Sequence, residues 1–164
     1  MRVTVRPISL DDEAEFLAAA RASRRLHAPW IAVPRDAQTF RRHVSRFVSP
    51  THFGFVVLDG QGRIAGAINI TNAIHGPFCS AYLGWYAFAG FERQGIMKQG
   101  LARVLRVAFG QLRLHRLEAN IQPGNLPSIA LARASGFTKE GYSRAYLKIG
   151  GRWRDHERWA IVRS

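Results

Sequence analysis

Phe91-Glu92-Arg93-Gln94-Gly95-Ile96-Met97-Lys98-Gln99-Gly100-Leu101 is the stretch on which the reading of this chain turns. It follows a strand-like run, Tyr82 to Phe88, and opens directly into a helical pattern. A turn of this kind leaves several backbone N–H groups unpaired at a helix start. Those donors, with the positive end of the helix dipole, make a site for an anion such as a pyrophosphate. Gly95 permits a φ that a side chain would resist, or a close approach of ligand to backbone. Arg93 and Lys98 add positive charge nearby. No Lys-Ser or Lys-Thr pair follows and no spaced glycine triplet is present, so neither a nucleoside-triphosphate loop nor a dinucleotide fingerprint fits.

The helix after this loop is the most periodic segment of the chain. Met97, Leu101, Val104, Leu105, Ala108 and Leu112 form one apolar stripe at helical spacing. His115 to Ile121 then reads as a strand, and a right-handed crossover would make it parallel to the strand before the helix. Pro127 to Ala134 is a short helix, with Asn125 as N-cap and Gly136 just past its end. Upstream, Val3 to Ile8 reads as a strand, and a helix follows from Ser9 or Asp11 to about Arg25. A second helix spans Asp36 to Val48, between Pro34 and Pro50. Phe53 to Leu58 and Arg63 to Ile70 are strands joined at Asp59-Gly60, a hairpin signal. Tyr142 to Ile149 and His156 to Val162 close the chain as a hairpin turning at Gly150-Gly151.

The chain has 164 residues, 47% of them hydrophobic and 11% aromatic, which suits one packed domain with a real core. No apolar run is long enough to cross a membrane, and the first residues carry no signal-peptide core. One cysteine, Cys79, excludes an internal disulfide and suits a reducing cytoplasm. The six histidines show no metal-ligand spacing with Cys, Asp or Glu, so no metal is expected. The formal charge of +13 attracts acidic partners: a polyphosphate cofactor, a nucleic acid or an acidic protein. Arg-rich composition alone would give the same number.

Two segments stand together: the loop-helix over 91–112, and Leu117-Glu118-Ala119-Asn120-Ile121-Gln122-Pro123-Gly124-Asn125-Leu126-Pro127-Ser128, which runs on to Gly136-Phe137. The pair resembles the acyl-CoA core of the GNAT acetyltransferase superfamily. The first matches its pyrophosphate loop, Gln/Arg-x-x-Gly-x-Gly/Ala, with Glu92 and Met97 as departures. The second matches its strand-loop-helix, including Asn-x-x-Ser at Asn125 and Ser128. The ending, Lys139-Glu140-Gly141-Tyr142 and then Tyr146 to His156, looks like the branch that contains the ribosomal-protein-alanine N-acetyltransferases. The resemblance implies an α/β (α+β) fold over one domain, residues 1–164: a mixed, mostly antiparallel central sheet flanked by helices. It implies a cytoplasmic enzyme that moves an acetyl group from acetyl-CoA to an amine, the α-amine of a ribosomal or other protein in the first place. A small amine (a polyamine, an amino acid or an antibiotic) is the alternative acceptor, and a ribosome- or RNA-binding module the alternative role.

By the same resemblance, Phe88 to Leu101 supplies the phosphate cradle, and Ala87, Phe88, Arg93, Gln94, Gly95, Ile96, Met97 and Lys98 are the cofactor-binding residues of this stretch. Asn125 contacts the pantetheine arm and Ser128 lies near the sulfur. A helix cap and an ordinary first-turn serine are the plain readings of these two. Transfer to an amine needs a neutral nitrogen, a polarised carbonyl, in-line placement and a proton for the leaving thiolate. Glu118 is the candidate base; its plain reading is a carboxylate paired with Arg116 or Arg133. Ser128 and Tyr142 are candidate acids, with Tyr146 behind them. Backbone N–H groups near Ala87 and Phe88 would polarise the carbonyl. His27, Trp30, Arg35, Trp85, Tyr146 and Trp153 are candidates for acceptor contacts or for packing. Asp155 and His156 would order the hairpin, with no chemistry assigned.

Overall fold

The computed structural model describes residues 2–164. Seven strands form one sheet in the order β1-β2-β3-β4-β5-β7-β6. They are β1 (Thr4–Pro7), β2 (Phe53–Leu58), β3 (Ile64–Ile74), β4 (Ser80–Ala87), β5 (Arg116–Ile121), β6 (Thr138–Ile149) and β7 (Arg152–Val162). Every neighbouring pair is antiparallel except β4 and β5. The connection between those two parallel strands is supplied by α4 (Ile96–Arg106), extended by a π-helical turn over Val107–Gln111. The mostly antiparallel mixed sheet is therefore as the sequence implied.

Helices cover both faces. On one face α4 and α5 (Leu126–Ala134) bury Leu101, Val104, Ile129 and Ala132 against Leu83, Leu117 and Ala119 of the sheet. On the other, α1 (Glu13–Ala22) and α3 (Ala37–Ser45) bury Phe16, Leu17, Phe40 and Val44 against Val56, Ala67 and Tyr86. Alternation of side chains along each strand feeds both cores at once. Met97, the departure at the small-residue position of the loop, is accommodated by Gly66. A Cβ built on Gly66 would lie 2.5 Å from Met97 Sδ. The thioether thus fills the space that a side chain on β3 would need.

Several boundaries differ from the sequence reading. The first helix is not continuous to Arg25. A 3-10 turn over Leu10–Asp12, capped by Ser9, precedes α1, and the chain breaks at Ser23 before the one-turn α2 (Arg24–His27). Ser23 turns its hydroxyl to the Ala19 carbonyl and accepts the Ala89 N–H at 2.8 Å, a contact no local pattern announces. The third helix stops at Ser45, not Val48. β6 and β7 are longer than expected by several residues each, with a register shift between Ser143 and Leu147.

Candidate functional site

The parallel pairing of β4 with β5 is short. It covers Ser80, Ala81 and Tyr82 against Arg116, Leu117 and Glu118 and then stops, while both strands continue. The sheet therefore splits. The gap opens into a cleft of about 1050 Å³. Its walls are Leu83 to Ala87 of β4 and Ala119 to Gln122 of β5 and the turn after it. The loop 91–95 and the start of α4 close one end, and the first residues of α5 the other. On the α1 side the cleft reaches Leu26, His27, Trp30 and Ile31.

The loop has the backbone features that suit an anion. Gly95 has φ +74° and is the N-cap of α4, with no side chain capping the helix. The helix's first N–H groups are left to a ligand. Nothing lies within 4 Å of where a Gly95 Cβ would be, so the space above it is open. Gln94 donates to the Gly90 carbonyl at 2.8 Å. Glu92, the acidic departure, accepts the Gly90 N–H at 2.6 Å. Its charge is used inside the loop, and Arg93 and Lys98 stand beside it on the cleft wall. These features fit the diphosphate of a CoA thioester. When bound, that group supplies the activated acyl carbon.

Of the expected cofactor residues, Ala87, Arg93, Gln94, Gly95, Ile96, Met97, Lys98, Asn125 and Ser128 all border the cleft. Phe88 does not: it is fully buried against Phe16 and Tyr86, and its N–H donates to the Ala65 carbonyl of β3 at 2.9 Å. That bond fixes the alternation of β4. The N–H of Ala87 must face the other way, into the gap, so of the two expected donors only Ala87 is directed there. Asn125 does cap α5, accepting the Ser128 N–H at 3.4 Å, and lines the cleft as well.

The expected catalytic set is dispersed. Ser128 is at the cleft. Glu118 is not on its wall; its carboxylate lies 3.8 Å from the Arg116 guanidinium, which is more closely bound to Glu140 at 2.6 Å. Tyr142 opens onto a separate small hollow with Trp153 and Asp155, and its hydroxyl donates to Asp155 at 2.7 Å. That bond raises the Tyr142 pKa, a poor state for releasing a proton. Tyr146 is pushed up to about 12, chiefly by a hydrogen bond with Tyr82. Trp85 packs edge-on to Phe137 and borders the cleft. Trp153 is 63% exposed at the hairpin end, and the Arg35 carbonyl serves Arg21. Cys79 donates its thiol hydrogen to the Arg113 carbonyl, a plain structural contact.

Sequence reasoning assigned no chemistry to two polar groups that the fold brings to the cleft. Asn120 of β5 has its buried Oδ1 unpartnered. His156 of β7 is 3% exposed, and its Nδ1 lies 2.9 Å from the Arg154 carbonyl. His27, a candidate in the sequence, is joined to the Ala87 carbonyl through Nε2 at 2.6 Å, with its buried Nδ1 unpartnered. Burial lowers the His27 pKa and keeps the ring neutral near pH 7. The strand alternation that places Asn120 and His156 was visible, but which strand neighbours which was not.

Among the described residues no group of His, Cys, Asp and Glu could hold a metal ion, and no helix is long and apolar enough to cross a membrane. Known proteins share this architecture. The [ribosomal protein uS5]-alanine N-acetyltransferase of Escherichia coli is 36% identical over 114 residues, 70% of this chain and 58% of that protein. The crystal structure of ribosomal-protein-S5-alanine acetyltransferase from Vibrio fischeri superposes with a TM-score of 0.89 at 26% identity, covering 99% of this chain and 93% of that one. Mycobacterium smegmatis RimJ in complex with CoA-disulfide gives a TM-score of 0.90 at 29% identity, with 98% and 81% covered. Residues 2–138 match the acetyltransferase (GNAT) domain, and with the split sheet and the glycine-opened helix above it, the chain belongs to that family of N-acetyltransferases.

Proposed function

We propose that the protein transfers the acetyl group of acetyl-CoA to the N-terminal α-amine of a protein, a ribosomal protein in the first place. The observation that carries this is the split between β4 and β5, which runs through the sheet from the Gly95 cradle to His27 and Trp30. Arg93, Lys98 and the start of α4 hold the phosphates. The open edges of the parted strands face the pantetheine arm, and the Ala87 N–H polarises the thioester carbonyl. Ser128 supplies a proton to the departing sulfur. The acceptor enters past Trp30 and His27. Similarity to the two ribosomal-protein-alanine acetyltransferases supports the choice of acceptor. So does the charge of +13, with Arg144, Lys148, Arg152 and Arg154 exposed on the closing hairpin, which suits a target met near RNA. The cytoplasm is where such an acceptor is made.

The test offers three acceptors at matched concentration with acetyl-CoA: an Ala- or Ser-starting peptide, an N-blocked lysine peptide, and spermidine. Product is read by mass. The α-amine peptide should lead. A free α-amine titrates near 8 and a lysine near 10.4, so far more of the former is neutral at pH 7. A preference of more than tenfold for spermidine or lysine would overturn the N-terminal acceptor and leave the acetyltransferase.

A further inference from the structure

We propose that His156 is the base that neutralises the acceptor's ammonium, the role that Glu118 would otherwise fill; this rests on the amine-acetylating function above.

The ring's tautomer follows from one contact. A carbonyl oxygen only accepts, so the 2.9 Å approach of His156 Nδ1 to the Arg154 carbonyl places the ring hydrogen on Nδ1. Nε2, on the far edge of the ring, then carries a bare lone pair. The side chain is otherwise packed away, 3% exposed, yet it borders the cleft. The same logic applies across the cleft. His27 Nε2 donates to Ala87, which leaves Nδ1 as an acceptor, and Asn120 offers Oδ1. Every one of these free atoms accepts hydrogen bonds, and none donates. A group bearing several N–H donors, such as an ammonium or amine, is the complementary ligand. Of the two imidazoles, His27 is sealed, its free nitrogen buried beneath Tyr86 and Phe88. His156 is therefore the one assigned to proton transfer.

The groups around His156 are mixed in charge. Arg154, Asp155, Glu157 and Arg158 adjoin it on its own strand, Glu157 being paired with Lys139 at 3.2 Å. Ser143 opposes it on β6, and the Tyr146 ring stands edge-on at 6.1 Å. Asn120 and Glu118 lie along β5, opposite Arg158 and Ala160, and His27 closes the far side of the cleft. Asp155 is already engaged by Tyr142 and the Ala145 N–H. A neutral imidazole suits the task because one ring nitrogen can hold a hydrogen bond while the other takes the proton.

The proton ledger closes. Nε2 takes one proton from the ammonium and later returns it to water. The freed nitrogen lone pair bonds to the carbonyl carbon as the C–S bond breaks. The second proton leaves the nitrogen to water, and the thiolate takes one through Ser128 or water, so nitrogen's loss and sulfur's gain cancel. No oxidant or metal is consumed.

His156→Asn keeps an N–H donor where Nδ1 stood and removes the base. Its melting shift with acetyl-CoA should match the wild type. Its kcat/KM on an α-amine peptide should fall by about 10²–10⁴-fold near neutral pH. The diagnostic reading is pH. An amine with a pKa near 8 goes from about 3% neutral at pH 6.5 to about 90% at pH 9. The deficit of the variant should shrink about thirtyfold over that range, since solvent then does the work of the base. A deficit that is constant with pH, or below about threefold throughout, overturns the proposal. So does a shrinking deficit in Glu118→Gln instead. Should His156→Asn lose the acetyl-CoA shift, His156→Gln repeats the test; collapse of both makes the side chain structural and also overturns it. Failure of the acetyltransferase reading would look different: no acetylated product from the wild type at any pH.

Discussion

Replacing Gly95 tests the anion cradle most directly. The residue sits at φ +74°, where an L side chain costs about 1–2 kcal/mol, and its Cβ would point into open space. Gly95→Ala carries that strain without charge. Gly95→Asp carries less strain, since Asp visits this region more readily, and adds a carboxylate at the helix start. An added charge at roughly 5 Å from a phosphate, at an effective dielectric of about 20, costs on the order of 3 kcal/mol, or roughly 200-fold in affinity. Acetyl-CoA at about a hundred times its Kd stabilises the native state by about 2.7 kcal/mol, which in a chain of this size is roughly 5–11 °C of Tm. The same concentration would stabilise Gly95→Asp by only about 0.2 kcal/mol, under roughly 1 °C. Both variants should therefore melt a few degrees lower without ligand, and only the Asp variant should lose the ligand shift. Equal shifts in wild type and Gly95→Asp, measured by differential scanning fluorimetry, would refute the placement of the phosphates at this helix.

Ser128→Ala should lower turnover by about 10²–10⁴-fold with acetyl-CoA binding retained; steady-state kinetics checks it, and a loss below about threefold leaves Ser128 as a helix residue. His43 is held down to about 4 by burial against Phe16 and Phe47, with Nε2 unpartnered. Its folded pKa lies below the usual 6.5, so the unfolded chain binds the extra proton first. The neutral ring's stability is complete above about pH 6.5 and is lost as pH falls toward 4; His43→Leu should flatten melting temperature against pH across that window. Gly66→Ala should cost about 1–3 kcal/mol, or roughly 2–12 °C of Tm, by driving a methyl into Met97 Sδ and the Tyr86 carbonyl. Thermal melts should show that adding Met97→Ala recovers only part, because the backbone contact remains.

The fold was legible where the code is local. The apolar stripe from Met97 to Leu112, the Asp59-Gly60 turn and the Asn125 cap each declare themselves within a few residues, and each is found. The glycine-opened helix start at Gly95 was legible for the same reason, since a strand, a glycine and a helical pattern lie in line. The site's far wall was not. Ser23 breaks the first helix because its hydroxyl reaches Ala89, 66 residues away. Phe88 left the expected list because its N–H belongs to β3, and Glu118 because its end of β5 is still paired with β4. His156 reaches the cleft through an antiparallel partnership of β7 with β5, which nothing in either segment specifies alone.

The parting of β4 and β5 also bears on the protein's behaviour in a crowded solution. It leaves two unpaired strand edges in the middle of the sheet, and such edges invite a foreign strand to add. The segment from Ser23 to Trp30 lies across them. Ser23 and His27 fasten it to Ala89 and Ala87, and Gln122 fastens it to the Pro29 and Trp30 carbonyls at 3.1 and 3.3 Å. The same clasp that borders the cleft therefore covers these edges against strand addition. A chain with these fastenings cut should lose solubility on warming before it loses its secondary structure.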